Sequence, residues 1–226
     1  MSAFEDLRTF TTRLFARSAI ERHALFVRLE AGELSPAQLR ALALQIHHVV
    51  DHFPRFLAAI LANIPDYRVR MPLVENLFEE HGRMNPHAVH VETYAKFLAS
   101  LGLSAREIGT SRPAVPVVAY NRAITDLCLH YPYPEGLGAL GVIEEIVARV
   151  SLIVGRFAAR NLKPSDGSLA HFGDHETLDV SHSSEIYELA AACYQGETRR
   201  AVEQGLLLGM YYHRRLYTDL LEEIVA

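Results

Sequence analysis

The sequence predicts an all-α protein, a bundle of seven to eight helices, on three observations. Apolar residues recur at helical spacing almost throughout, no segment alternates apolar and polar side chains as a half-buried strand does, and proline and glycine punctuate the periodic stretches. The first helices are expected over roughly 3–19 and 20–30, ending at Gly32. In SPAQLRALALQIHHVVDHFPRFLAAILANI, Ser35 caps, Pro36 takes the first helical position, and Leu39, Leu42, Ile46 and Val49 form the stripe. That helix is read as continuing over roughly 35–63, with a kink at Pro54. Further helices follow over roughly 66–81, 87–101, 113–130, 135–160, 168–194 and 197–224, with two short ones merging into their neighbours. With 226 residues, half of them apolar, the chain is long enough to bury one full core, and it carries no repeat or low-complexity tract.

Composition excludes several classes of function. The formal charge of -5 is spread along the chain without basic or acidic blocks, so nucleic acid is not an expected partner and a small molecule is. No apolar run reaches the length of a membrane span. The opening MSAFEDLRTFTTRLFARSAIER mixes acids with arginines, unlike a signal or transit peptide, so the expected location is cytoplasmic. Cys128 and Cys193 are far apart in apolar surroundings and read as core thiols.

The segment HFGDHETLDVSH, His171 to His182, carries the strongest local signal. At 100° per residue, His171, His175, Asp179 and His182 fall within about 80° on one helical face, together with Leu178 and Ile186. That face points inward, where each unsatisfied polar group costs roughly 1–3 kcal/mol. A bound metal would satisfy them; an exposed polar face, or histidines bonded to backbone carbonyls, are the plain alternatives.

Two other segments supply donors of the same kind. In LVENLFEEHGRMNPHAVHVETYAKF, Glu75, Glu79 and Glu80 precede a short loop, and His87 and His90 open the next helix. In LGALGVIEEIVARVSLIVGRF an acidic pair interrupts an apolar helix. Glu145 has Arg149 at i+4 and reads as a surface pair, whereas Glu144 shares its face with Gly141, Ala148 and Ser151, small neighbours that leave room for a ligand. Helical bundles build two-iron and two-manganese sites from such inward carboxylates and imidazoles. With no thiolate and about six O and N donors, iron is the first choice, manganese the second, and zinc fits less well.

At these residues the chain resembles the haem-oxygenase-like diiron oxidases and oxygenases, a helical family that binds no haem. The resemblance runs from GELSPAQLRALALQIHHVVDHFPRFLAAI through EEHG, HVETYAKFLASLGLS and ALGVIEE to HFGDHETLDVSH. It is most specific toward the p-aminobenzoate-forming branch that includes the Chlamydia protein associating with death domains. It implies six metal ligands: one glutamate of EEHG, His90, Glu144, His175, Asp179 and His182. Counting back from Gly82, Glu79 matches better and Glu80 is the alternative; helical phase does not decide between them, since both lie off the stripe of Val74, Leu77 and Phe78. His87 is either a substitute ligand or a helix-start residue, and His171 orients a ligand or sits at the pocket rim. His48 and His52 share a face and could reach substrate or a ligand, or be ordinary partly buried histidines. The branch carries a tyrosine and a lysine in the pocket at positions that fall on Phe26 and Val154 here, a departure that bears on the reaction rather than on the metal site.

The resemblance implies a non-haem diiron oxidoreductase that uses O2 as cosubstrate. The substrate would be a small amine or amino-acid-derived metabolite, undergoing N-oxygenation, desaturation or carbon–carbon cleavage. An external electron donor and a homodimer are further expectations. Two alternatives remain: a metal-independent enzyme resembling thiaminases or pyrroloquinoline-quinone synthases, and a non-catalytic helical binding protein.

Overall fold

The computed structural model describes residues 2–161 and 182–225, and among the described residues there is no strand. Helix α1 (Ala3–Ser18) opens on a reciprocal cap between Ser2 and Glu5 and closes on Ala19 in the left-handed conformation. A 3₁₀ turn (Ile20–Arg22) leads into α2 (Ala24–Glu30). Helix α3 (Pro36–Val50) starts as expected, with Ser35 and Gln38 capping each other and proline in the first turn.

The helix expected over 35–63 is divided rather than kinked. Asp51 and His52 form a turn, and α4 (Phe53–Asn63) begins afresh with Pro54 in its first turn. Proline has no N–H to give and its ring collides with the carbonyl four residues back, here Val50, where α3 ends. Helix α5 (Tyr67–Glu80) is followed by a tight turn over Gly82–Met84, α6 (His90–Ser100) and α7 (Ala105–Thr110). Then come α8 (Val115–His130), α9 (Tyr133–Asn161), α10 (residues 182–192) and α11 (Gly196–Val225). Two boundaries correct the sequence reading. α6 begins at His90, not at His87, and α7 was not anticipated, although the cap between Ser104 and Glu107 is legible in the sequence.

The centre of the molecule is α9, most of whose residues between Pro134 and Ser151 are buried, packed against α11. Glycines bring the two backbones into contact. A Cβ at Gly205 would lie 1.9 Å from the Glu135 carbonyl oxygen, and one at Gly138 would lie 2.3 Å from that of Val202. Leu137, Leu140, Val142 and Leu206 fill the space beside this seam, fully buried.

Helix α5 turns a face inward that the apolar pattern does not indicate. Val74 and Phe78 of the expected stripe are 47% and 44% exposed, and the buried positions are Leu73, Asn76 and Glu80. The reversal has a chemical reason: polar side chains are directed at the interior, where they find partners. No helix among the described residues is long and apolar enough to cross a membrane. Cys128 and Cys193 are free thiols, Cys128 buried and Cys193 partly so.

Candidate metal centre

Four predicted donors on described helices are buried: Glu144 at 2% exposure, Glu80 at 3%, His182 at 4% and His90 at 6%. They come from α9, α5, α10 and α6, so four separate segments deliver carboxylates and imidazoles to the interior. His171, His175 and Asp179 lie outside the described residues. Among the described residues no group of three or more His, Cys, Asp or Glu stands close enough to hold a metal ion, and the donors occur as pairs.

In one pair, His90 Nδ1 lies 2.9 Å from Glu80 Oε1. The turn between α5 and α6 brings them together, since Gly82, Arg83 and Met84 all have positive φ and reverse the chain sharply. A Cβ at Gly82 would lie 2.6 Å from the backbone of Ala88 and Val89, so only glycine fits. In the other pair, His182 Nε2 is 2.5 Å from Glu79 Oε2, and Arg83 binds the second oxygen of the same carboxylate. Burial opposes the charge on Glu79, but hydrogen bonds from Arg83 and His182 outweigh it and hold the carboxyl below its ordinary range.

That arrangement bears on what His182 can offer. In the neutral ring Nε2 donates to Glu79 and Nδ1 carries a lone pair, and this buried atom has no hydrogen-bond partner among the described residues. A buried acceptor left unmet costs about 1–3 kcal/mol. An imidazole whose second nitrogen donates to a carboxylate is the usual form of a metal-bound histidine, the carboxylate fixing tautomer and ring orientation. Glu144 is held by Asn76, whose Nδ2 donates to Oε1 at 2.9 Å. The residues present thus fit a cation: oxygen and nitrogen donors, buried, with an imidazole lone pair left over.

The sequence reading distinguished Glu144 from Glu145, and the structure shows how different they are. Glu145 accepts from Arg149 at 2.6 and 3.0 Å and from the Tyr187 hydroxyl at 2.8 Å, while Arg149 also reaches Glu21 and stacks over Phe15. It is a half-buried network rather than a simple surface pair. The room expected beside Gly141 is taken by Tyr187, whose ring would lie 2.8 Å from a Cβ there.

Glu80, Glu144 and Ser151 line a cavity of about 150 Å³ bounded by α2, α3, α4, α5, α6, α8, α9 and α11, with mainly aliphatic and aromatic walls. Phe26 and Val154 both line it, Phe26 packed edge-on against Tyr217 at 5.0 Å. The other predicted histidines among the described residues, His48, His52 and His87, lie elsewhere. His48 Nε2 is 3.0 Å from Ser111 Oγ and His52 Nε2 is 3.1 Å from Thr125 Oγ1, bonds that tie α3 and the α3–α4 turn to their neighbours and leave both off the cavity wall. His87 is exposed. Sequence reasoning passed over Tyr120, His213 and Tyr217, which the fold brings together on the cavity wall. The local sign was His213 and Tyr217 four apart on one helix.

Comparison with known proteins gives the family and the fold. The model of a family described as iron-containing redox enzymes matches residues 40–214, and the chain belongs to that family. Its class is therefore oxidoreductase, and iron is the metal of its family. A 4-aminobenzoate synthase of Chlamydia pneumoniae is 30% identical over 190 residues, covering 81% of each chain. Among solved structures, a CADD-like protein of unknown function from Nostoc punctiforme superposes with a TM-score of 0.84 at 18% identity, covering 99% of both chains. A domain of unknown function with a heme oxygenase-like fold from Shewanella denitrificans gives 0.72 at 14% identity, over 97% of this chain and 90% of that one. The resemblance read from the sequence and the all-α, haem-oxygenase-like fold it implies are both borne out.

Proposed function

We propose that the chain binds two iron ions and uses O2 to oxidise a small, largely apolar amine held in the cavity. The observation that carries this reading is the buried Nδ1 of His182, unmet among the described residues while Glu79 holds the opposite nitrogen. His182, Glu80, His90 and Glu144 would hold the metal together with His175 and Asp179. Bound iron supplies the electron-transfer chemistry by which O2 is reduced. This reading takes Glu80 as the ligand and Glu79 as the group that orients His182, because Glu80 faces the cavity and Glu79 is already committed to Arg83 and His182.

The remaining work falls to the chain's own residues. Asn76 fixes one oxygen of Glu144, and Arg83 fixes Glu79 and through it the tautomer of His182. Apolar walls from Leu25, Leu42, Ile46 and Ile143 exclude water from the reacting group. No lysine or arginine lines the cavity among the described residues, so the wall offers no cation to a substrate carboxylate. A neutral amine suits it better than a free amino acid. The 4-aminobenzoate-forming activity of the relative is not transferred, because Phe26 and Val154 occupy the pocket positions where that branch carries tyrosine and lysine. Family membership also weighs against a metal-independent enzyme.

Anaerobic Fe(II) loading of the full chain, followed by metal analysis and an oxygen electrode, tests the proposal. Two irons per chain and iron-dependent O2 uptake are expected. Protein that retains no iron, or whose iron ignores oxygen, would refute it. Glu80→Gln should reduce the iron stoichiometry, while Glu79→Gln should keep it and weaken affinity about 10–100-fold. The reverse pattern would exchange the two roles.

A further inference from the structure

Tyr120 of α8 and His213 and Tyr217 of α11 form a hydrogen-bonded chain. Tyr120 Oη lies 2.8 Å from His213 Nδ1, and His213 Nε2 lies 2.9 Å from Tyr217 Oη. All three are buried, at 3%, 3% and 5% exposure, and all three line the cavity. None of them belongs to the metal centre described above.

Their proton count does not close. Burial pushes His213 down to about 3 and both phenols above their ordinary range, so all three groups are uncharged at neutral pH. A neutral imidazole has one N–H and each phenol one O–H, making three protons for two bonds. Whichever tautomer His213 takes, one tyrosine donates into the ring and the other accepts from it. The accepting tyrosine keeps an O–H with no acceptor among the described residues. Reversing the tautomer moves that spare proton from one tyrosine to the other. A spare donor in an apolar wall is costly unless a cavity ligand meets it.

We propose that Tyr120, His213 and Tyr217 form a substrate-anchoring subsite that receives one uncharged oxygen, a hydroxyl or carbonyl, on a largely apolar ligand of about the size of a single ring. Size follows from the cavity, since about 150 Å³ of apolar space accommodates a benzene-sized molecule. Charge follows from the three neutral groups, which offer a proton and a lone pair but no cation. The inference rests on the proposed function only in taking this cavity as the substrate's. The three residues are positioning residues, and the relay matches either polarity of partner by shifting the imidazole proton.

The test compares two ligands of one shape, benzyl alcohol and ethylbenzene, titrated by NMR into metal-free full-length protein. The ratio of their affinities is measured in the parent chain and in the Tyr120→Phe/Tyr217→Phe variant. Removing both hydroxyls is expected to lower the relative affinity for the alcohol about tenfold. An unchanged ratio, or no binding of either probe, overturns the subsite. A second measurement uses the parent protein alone: the ring ¹⁵N resonances of His213, assigned through His213→Gln, should move with benzyl alcohol and stay in place with ethylbenzene. Equal movement overturns the relay. Because no metal is present, failure here leaves the iron reading to its own test.

Discussion

On one side of α9, Gly138 lies so close to α11 that a single methyl would strike the Val202 carbonyl; on another, Glu144 and Ser151 line the cavity. The seam is backbone against backbone, without room for a side chain. The cavity side keeps an open volume and two polar groups that the core would otherwise exclude. A helix buried on nearly every side therefore divides its work by face, and the two faces should fail in different ways when altered.

The seam should fail first and hardest. Gly205→Ala pushes a methyl into the Glu135 carbonyl at 1.9 Å, a contact only backbone movement can relieve. A loss of about 3 kcal/mol in urea-unfolding stability is expected. A loss below about 1 kcal/mol would mean that the two helices slide easily and that the division between faces is false. Glu144→Ala probes the other face: iron content and O2 uptake should fall about hundredfold while cooperative unfolding persists. Collapse of the fold instead would show that Glu144 and its bond from Asn76 are structural. Per unit of change the smallest effect is a pH slope from α11. His213 is neutral when folded and would take a proton near 6.5 when unfolded, so the unfolded state binds more protons as pH falls. Its contribution is complete above about 6.5 and is lost between there and about 3, by up to about 1.4 kcal/mol per pH unit. Following unfolding midpoints over that window should show the slope in the parent and its loss in His213→Gln.

The same division explains what could be read from the sequence. Helices and their starts were legible because capping pairs such as Ser35 and Gln38, and the punctuation around them, act locally. The buried standing of Glu144 was legible from its neighbours within one helix. The facing of α5 was not, because its apolar residues Val74 and Phe78 are exposed and the buried face includes Asn76 and Glu80. Which residues meet across helices was not legible either. Glu79 with His182, and Tyr120 with His213, are contacts between distant segments, and no periodicity within one segment encodes a partner in another. Glycines posed a further difficulty: at Gly32 and Gly102 they end helices, whereas at Gly138 and Gly205 they sit inside them and permit contact.

The turn over Gly82–Met84 has a consequence for how a cation would meet this protein. Three successive left-handed residues, the first wedged against the Ala88–Val89 peptide, leave the loop without slack, so Glu80 and His90 stand at a fixed bite before any ion arrives. Were both to bind one cation, their chelate ring would be closed by folding, and its entropy of closure would not weigh on metal uptake. Lengthening this loop would therefore weaken capture mainly by quickening release, while the rate of encounter stayed the same.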